Sequence, residues 1–176
     1  RFYQHGGVDY LSVARAALAN LASGSQQGAG TITMQVARNF FLTREKTVTR
    51  KLREVLLAWK IEANLTKDEI LELYVNQIFL GQRAYGFAAA SQIYYGRPLR
   101  DITIPEAAML AGLPKAPSAY NPVTNPKRAK ARQLYVLRRM HERRFITDAQ
   151  FTEAQSAPLN VRQGVRDTLP THAESV

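Results

Sequence analysis

The sequence predicts an all-α, mainly helical fold. Apolar residues recur at spacings of three and four along nearly the whole chain, helix caps fall at the ends of those stretches, and no pair of alternating segments flanks a hairpin turn. At 176 residues the chain is long enough to bury a core without staples.

The elements follow in order. Asp9 caps a helix over residues 10–21, closed by Ser23, Gly24 and Ser25. A polar turn over residues 28–35 opens a short helix carrying Arg38. Residues 47–63 form a helix whose stripe of Val48, Leu52, Val55, Leu56, Trp59 and Ala63 is expected to meet the core. Thr66 with Glu69 makes a capping box for a helix ending near Gly81, and Thr103 with Glu106 makes another for a short helix ending at Gly112. Three prolines between Leu113 and Pro122 impose an extended connection. Asn125 and Pro126 start a long basic helix running to about Arg144, and Thr147 with Gln150 opens the last one. Periodicity then fades. Residues 1–160 read as one domain and 161–176 as a linker, in a piece cut at both ends.

Composition narrows the chemistry. The chain has no cysteine, which excludes disulfides, zinc-thiolate sites and thiol nucleophiles, and His5, His141 and His172 lack metal-ligand spacing. A net charge of +10 predicts attraction to polyanions, with nucleic acid, anionic lipid and diphosphates all qualifying. No apolar run reaches the ~20 residues of a membrane span, and the start resembles no signal peptide.

The most informative block is Gly28, Ala29, Gly30, Thr31, Ile32, Thr33, Met34 and Gln35, followed by Arg50, Lys51 and Glu54. Small residues let backbone approach a ligand, and the helix start offers unpaired N–H groups, so the block suits an oxyanion or phosphate. Arg50 and Glu54, four apart, share a second face of their helix with Leu57, Ala58 and Ile61, which places Glu54 in a partly dry cleft or leaves a simple surface pair. Either way the proton affinity of Glu54 stays open, since burial and cations act oppositely.

These residues resemble the motifs of the peptidoglycan glycosyltransferases, the lysozyme-like transglycosylase domains of class A penicillin-binding proteins. Phe2, His5 and Gly7 resemble the end of the first motif, residues 28–35 the second, and Arg50, Lys51 and Glu54 the third. Ile70 to Asn76 with Gly81 resemble the fourth, and Pro105 to Ala108, Leu113 to Ser118 and Tyr120 to Pro122 the fifth. Five motifs in order over some 120 residues are more specific than any one.

The resemblance implies polymerisation of lipid II into glycan strands, with inversion at the anomeric carbon and release of undecaprenyl diphosphate. It implies Glu54 as a catalytic-site carboxylate other than the base, and Arg38, Arg50 and Lys51 as contacts to the diphosphate. Thr31, Thr33 and Gln35 would supply neutral hydrogen bonds, with helix capping as the alternative for both threonines. Lys115, Ser118 and Asn121 would meet sugar or phosphate from the proline-rich loop, or satisfy its turns. Gly30 stands where serine is usual and Met34 where glutamine is common, removing one hydroxyl donor. The family's base is the Glu of a Glu-Asp pair ahead of Phe2, outside this sequence, so the chain alone is expected to bind substrate without polymerising it. No cofactor is required; the resemblance admits a divalent cation at the diphosphate. The partners implied are lipid II, the lipid-linked strand, the membrane surface and proteins of the divisome or elongasome, at the periplasmic face of the cytoplasmic membrane.

Other segments carry weaker expectations. Phe40, Phe41 and Leu42, with Arg44 and Lys46, suit either a membrane-dipping edge or core, and Tyr74 and Asn76 suit buried structural hydrogen bonds. A nucleic-acid binder using the helix from Pro126 is the rival class, but Leu134, Leu137 and Met140 give that helix an apolar side, so no nucleic-acid partner is expected. A glycan hydrolase on the same fold would need a carboxylate acid and no diphosphate grip; the Arg50 and Lys51 pair favours the transferase.

Overall fold

The computed structural model describes residues 1–23, 29–41 and 48–162, which fall in two compact units divided between Gln77 and Ile78. Among the described residues every regular element is helical, apart from one isolated bridge between Phe79 and Tyr85. The all-α expectation holds.

The first unit holds a short 3-10 turn at Phe2–Gln4 and four helices: α1 (Tyr10–Ser23), α2 (Ile32–Phe41), α3 (Val48–Asn64) and α4 (Lys67–Gln77). Asp9 caps α1 as the sequence predicts, its Oδ1 accepting from the Ser12 N–H at 3.1 Å. Helix α2 packs on both α3 and α4. Between them Val36, Ala37, Ile61 and Ile70 form one apolar cluster, and Val8, Met34 and Ala58 form a second. The box at the start of α4 is present, with Thr66 N–H donating to Glu69 at 2.7 Å and Glu69 N–H donating back to Thr66 at 3.2 Å.

Two expectations for this unit need correction. Most of the broad stripe of α3 does not meet the core: Val48 is 88% exposed, Leu52 61%, Leu56 52% and Trp59 45%, while Val55 packs on the second cluster. Glu54, Ala58 and Ile61, on the second face, are the buried residues of α3. Apolar width along a helix favours the wider stripe, but α2 brings Arg38 to Glu54, and a carboxylate neutralised by cations can be buried where an isolated one cannot. In addition, Asn76 is exposed rather than buried, while Tyr74 is half-buried against the first cluster.

Helix α4 ends at Gln77, not near Gly81. In the second unit the chain turns back at once: Leu80 N–H donates to Ala84 at 2.9 Å and Gly86 N–H to Ile78 at 2.7 Å. Gly81, Gln82 and Arg83 all take left-handed backbone, with φ of 81°, 46° and 58°, a run that no continuing helix permits. Only glycine fits at 81, where an added Cβ would lie 2.7 Å from the Tyr94 hydroxyl. That hydroxyl donates to the Leu80 carbonyl at 2.7 Å, pinning the turn to α5 (Phe87–Tyr95).

The rest of the second unit is α6 (Ile104–Gly112), α7 (Pro126–Glu142) and α8 (Asp148–Ser156), with short 3-10 turns at Leu99–Asp101 and Leu113–Lys115. Capping boxes at Thr103 and Thr147 form as predicted. Helices α6, α7 and α8 pack mutually around Ala108, Leu137, Ile146 and Ala154. Gln133 of α7 is fully buried in this bundle, donating to the Pro105 carbonyl at 2.7 Å and accepting from Lys130 at 2.9 Å. Asn125 precedes α7 without capping it; its amide goes to the Ser118 carbonyl at 3.2 Å instead. Among the described residues no helix is long and apolar enough to cross a membrane.

Candidate active site

The polar turn is described from Ala29 onward; Gly28 lies outside the described residues, as do Leu42, Arg44 and Lys46. Thr31 begins α2 as a cap, its hydroxyl oxygen accepting from the Met34 N–H at 3.1 Å. The same hydroxyl donates to the Gly7 carbonyl at 2.6 Å, which ties the turn to the segment before α1. Gly7 sits at φ 90°, a left-handed backbone that disfavours other residues, and an added Cβ would crowd the Ala58 carbonyl oxygen and Glu62 Cγ, each at 3.2 Å. Thr33 is fully buried and donates to Glu62 at 2.6 Å. Gln35 is half-buried on α2, and Phe40 is 43% exposed near the end of that helix.

One turn further along α2, Arg38 reaches Glu54. The guanidinium lies along the carboxylate, with Nε 2.9 Å from Oε1 and Nη2 3.2 Å from Oε2. Lys51 Nζ donates to Oε2 at 3.0 Å, and Arg50 Nε stands 3.1 Å from Oε1 as an ion pair. Glu54 is wholly buried, whereas the Lys51 side chain is 50% exposed, Arg38 38% and Arg50 16%. Burial raises the proton affinity of Glu54, but the hydrogen bonds and charges of Arg38 and Lys51 outweigh it and hold the carboxyl below its ordinary range. Glu54 is therefore an anion with both oxygens occupied, poorly suited to taking a proton. Its effect is to gather three cations, of which two keep their outer surface in water. The cluster carries a net surplus of two positive charges.

Beside the start of α2 a hollow of about 330 Å³ is lined by His5, Asp9, Ser12, Arg15, Gly30 and Thr31 among others. His5 keeps a buried Nδ1 without a hydrogen-bond partner, and burial followed by the charge of Lys67 lowers its pKa below the usual imidazole value. A larger groove of about 980 Å³ lies wholly in the second unit, between Arg97, Glu106 and Arg162. Glu106 there is committed to Arg97 and to the Thr103 cap, so this groove holds none of the predicted site residues.

The remaining site residues share one loop of the second unit. Lys115 and Ser118 are exposed; Asn121 is buried, and its Oδ1 accepts from the Val123 N–H at 2.9 Å, a turn-forming bond. The structure thus brings Arg38, Arg50, Lys51 and Glu54 into one cluster, links Thr31 and Thr33 to Gly7 and Glu62, and places Lys115, Ser118 and Asn121 together elsewhere in the chain. Sequence reasoning missed Glu62 and Lys67. They face each other from separate helices at a spacing of five, which matches no pairing rule for one helix.

The first unit thus buries one carboxylate, Glu54, among three cations that each keep part of their surface in water. The transglycosylase family profile matches residues 1–141, and the chain belongs to that family. It is similar to penicillin-binding protein 1A of Neisseria gonorrhoeae, at 62% identity over 167 residues covering 94% of this chain and 21% of the relative. A Cupriavidus necator protein named as a transglycosylase is 60% identical, over 92% of this chain and 70% of its own length. The crystal structure of penicillin-binding protein 1A from Haemophilus influenzae aligns with a TM-score of 0.52 at 34% identity, covering 74% of this chain and 16% of that one. The chain spans about a fifth of the length of the Neisseria relatives. It is a transglycosylase domain, an enzyme of the glycosyltransferase class.

Proposed function

We propose that this domain polymerises lipid II, with Arg38, Arg50 and Lys51 gripping the diphosphate of the departing lipid. The observation that carries this reading is the cation cluster on Glu54: two positive charges in excess, preorganised by a buried anion, with Arg38 and Lys51 open to solvent. In the reaction the acceptor sugar hydroxyl loses its proton to a base and its oxygen attacks the anomeric carbon. The bond from that carbon to the diphosphate breaks with inversion, and the electron pair leaves on the diphosphate. Charge therefore develops on phosphate oxygens, where guanidinium forks and an ammonium stabilise it most. Glu54 serves by holding the cations, not as the base.

Gln35 of the first unit, and Lys115 and Ser118 of the second, are each offered to phosphate or sugar, while Thr31, Thr33 and Asn121 act through the groups they hold. Gly30 contributes backbone rather than a hydroxyl. Both oxygens of Glu54 accept from cations, so a divalent ion at the diphosphate would be held by phosphate oxygens and water rather than by Glu54. The cluster itself neutralises the diphosphate.

The membrane surface is the second element of the proposal. Val48, Leu52, Leu56 and Trp59 leave an apolar stripe open on α3, flanked by exposed Lys51, Arg53 and Lys60, a combination that suits an anionic lipid interface at the periplasmic face. Proteins of the divisome or elongasome would meet the domain there.

The direct test is lipid II polymerisation by the full-length protein. Arg50→Ala and Lys51→Ala are each expected to lower the rate about a hundredfold with the fold retained by circular dichroism. Wild-type turnover in both variants would sink the assignment.

A further inference from the structure

We infer that Lys67 and Glu62 are positioning residues for glycosyl transfer, forming a clamp that fixes residues 2–7 against the turn at residues 31–33. The inference rests on the lipid II reading for its kinetic meaning only. Its structural basis is separate.

Lys67 opens α4 with its ammonium turned inward. Nζ donates to the His5 carbonyl at 2.5 Å and to Glu62 Oε1 at 2.6 Å, and it lies 4.5 Å from the centroid of the Phe2 ring. Glu62 Oε1 also accepts from the Thr33 hydroxyl at 2.6 Å. From the other side, the Thr31 hydroxyl donates to the Gly7 carbonyl at 2.6 Å, and Gly7 rests against Ala58 and Glu62. These contacts close a ring: residues 2–7, Lys67, Glu62, Thr33, Thr31 and back to Gly7. Its two charged members are 20% and 12% exposed, so the pair is largely shielded from the screening that weakens surface bridges.

The ring joins the two segments that line the hollow at His5 and Gly30, and it also fixes the start of the helix that carries Arg38. Neither Lys67 nor Glu62 belongs to the apolar clusters that hold α2, α3 and α4 together. Removing the clamp should therefore loosen the geometry of the site before it unfolds the unit. Misplacement by about an ångström can cost up to a hundredfold in rate. Such a loss appears in kcat when the substrate contacts themselves survive.

The experiment compares Lys67→Met, Lys67→Arg and Glu62→Gln in the full-length protein, using lipid II kinetics and amide hydrogen exchange. Lys67→Met keeps the volume and loses the charge; it should lower kcat about tenfold or more with KM changed less than about twofold, and Lys67→Arg should recover most of the loss. Exchange at residues 2–7 should quicken in Lys67→Met and Glu62→Gln while the core of α3 keeps its protection. Unchanged kcat in both uncharged variants overturns the inference. So does unchanged exchange at residues 2–7, or a uniform rise over α2, α3 and α4, which would mark general destabilisation. If the wild-type protein itself fails to polymerise lipid II, the functional reading falls and the exchange data alone decide the clamp.

Discussion

Arg38 on α2 and Glu54 on α3 meet along their full planar edges, two nitrogens facing two oxygens across the helix interface. The pair lies on the face of α3 that Ala58 and Ile61 bury against the apolar clusters. It also couples the electrostatics of the site to the packing of the unit, so a change at either residue should register in stability and in activity together.

Arg38→Lys tests the coupling. A lysine keeps the charge but offers a point rather than a fork. We expect a loss of about 1–2 kcal/mol in chemical denaturation and a reduced polymerisation rate. Unchanged values of both would show that the paired geometry does nothing.

The acid limb of stability should depend on Glu54. Its folded carboxyl gives up its proton more readily than the same group in the unfolded chain, so its contribution is complete above about pH 5 and is lost as pH falls through the lowered value. Glu54→Gln should flatten that limb and lower stability near neutrality by roughly 3 kcal/mol, because three cations lose their common partner. Urea melts between pH 3 and about pH 7 measure both effects.

At Gly81 a methyl group would meet the Tyr94 hydroxyl and strain a left-handed backbone at once. Gly81→Ala should cost about 2 kcal/mol or more. Tyr94→Phe removes the obstruction together with its bond to Leu80. The double variant should therefore lose less than the sum of the two singles.

Asn121 is expected to act through its turn. Asn121→Ala removes the oxygen that accepts from Val123 and should lose about 1 kcal/mol in thermal melts, whereas an unchanged melting point would point to a role outside the loop.

The caps, the proline-rich connection and the helical class were legible because each depends on neighbours in sequence. Asp9, Thr66, Thr103 and Thr147 all act within three residues of themselves. The cation cluster was half legible: Arg50, Lys51 and Glu54 share one helix, but Arg38 arrives from another, and that arrival inverts the face of α3 that periodicity favours. Glu62 and Lys67 were invisible because their meaning lies in a carbonyl at His5 and a hydroxyl at Thr33, neither of which a spacing rule can reach. The premature end of α4 was likewise hidden, since the three left-handed residues after it include only one glycine.

The open stripe of α3 bears on how the isolated chain behaves in a test tube. Val48, Leu52, Leu56 and Trp59 present oily surface to water, at a standing cost of about 25 cal/mol for each Å² left wet. Any amphiphile that covers it lowers the free energy of the dispersed chain, and self-association does the same. Light scattering should therefore show aggregates that dissolve on adding detergent near its micelle threshold, and replacing Leu52 and Leu56 by serine should remove the need for it. Ionic strength should matter as well, because salt screens the surplus positive charge that keeps the monomers apart.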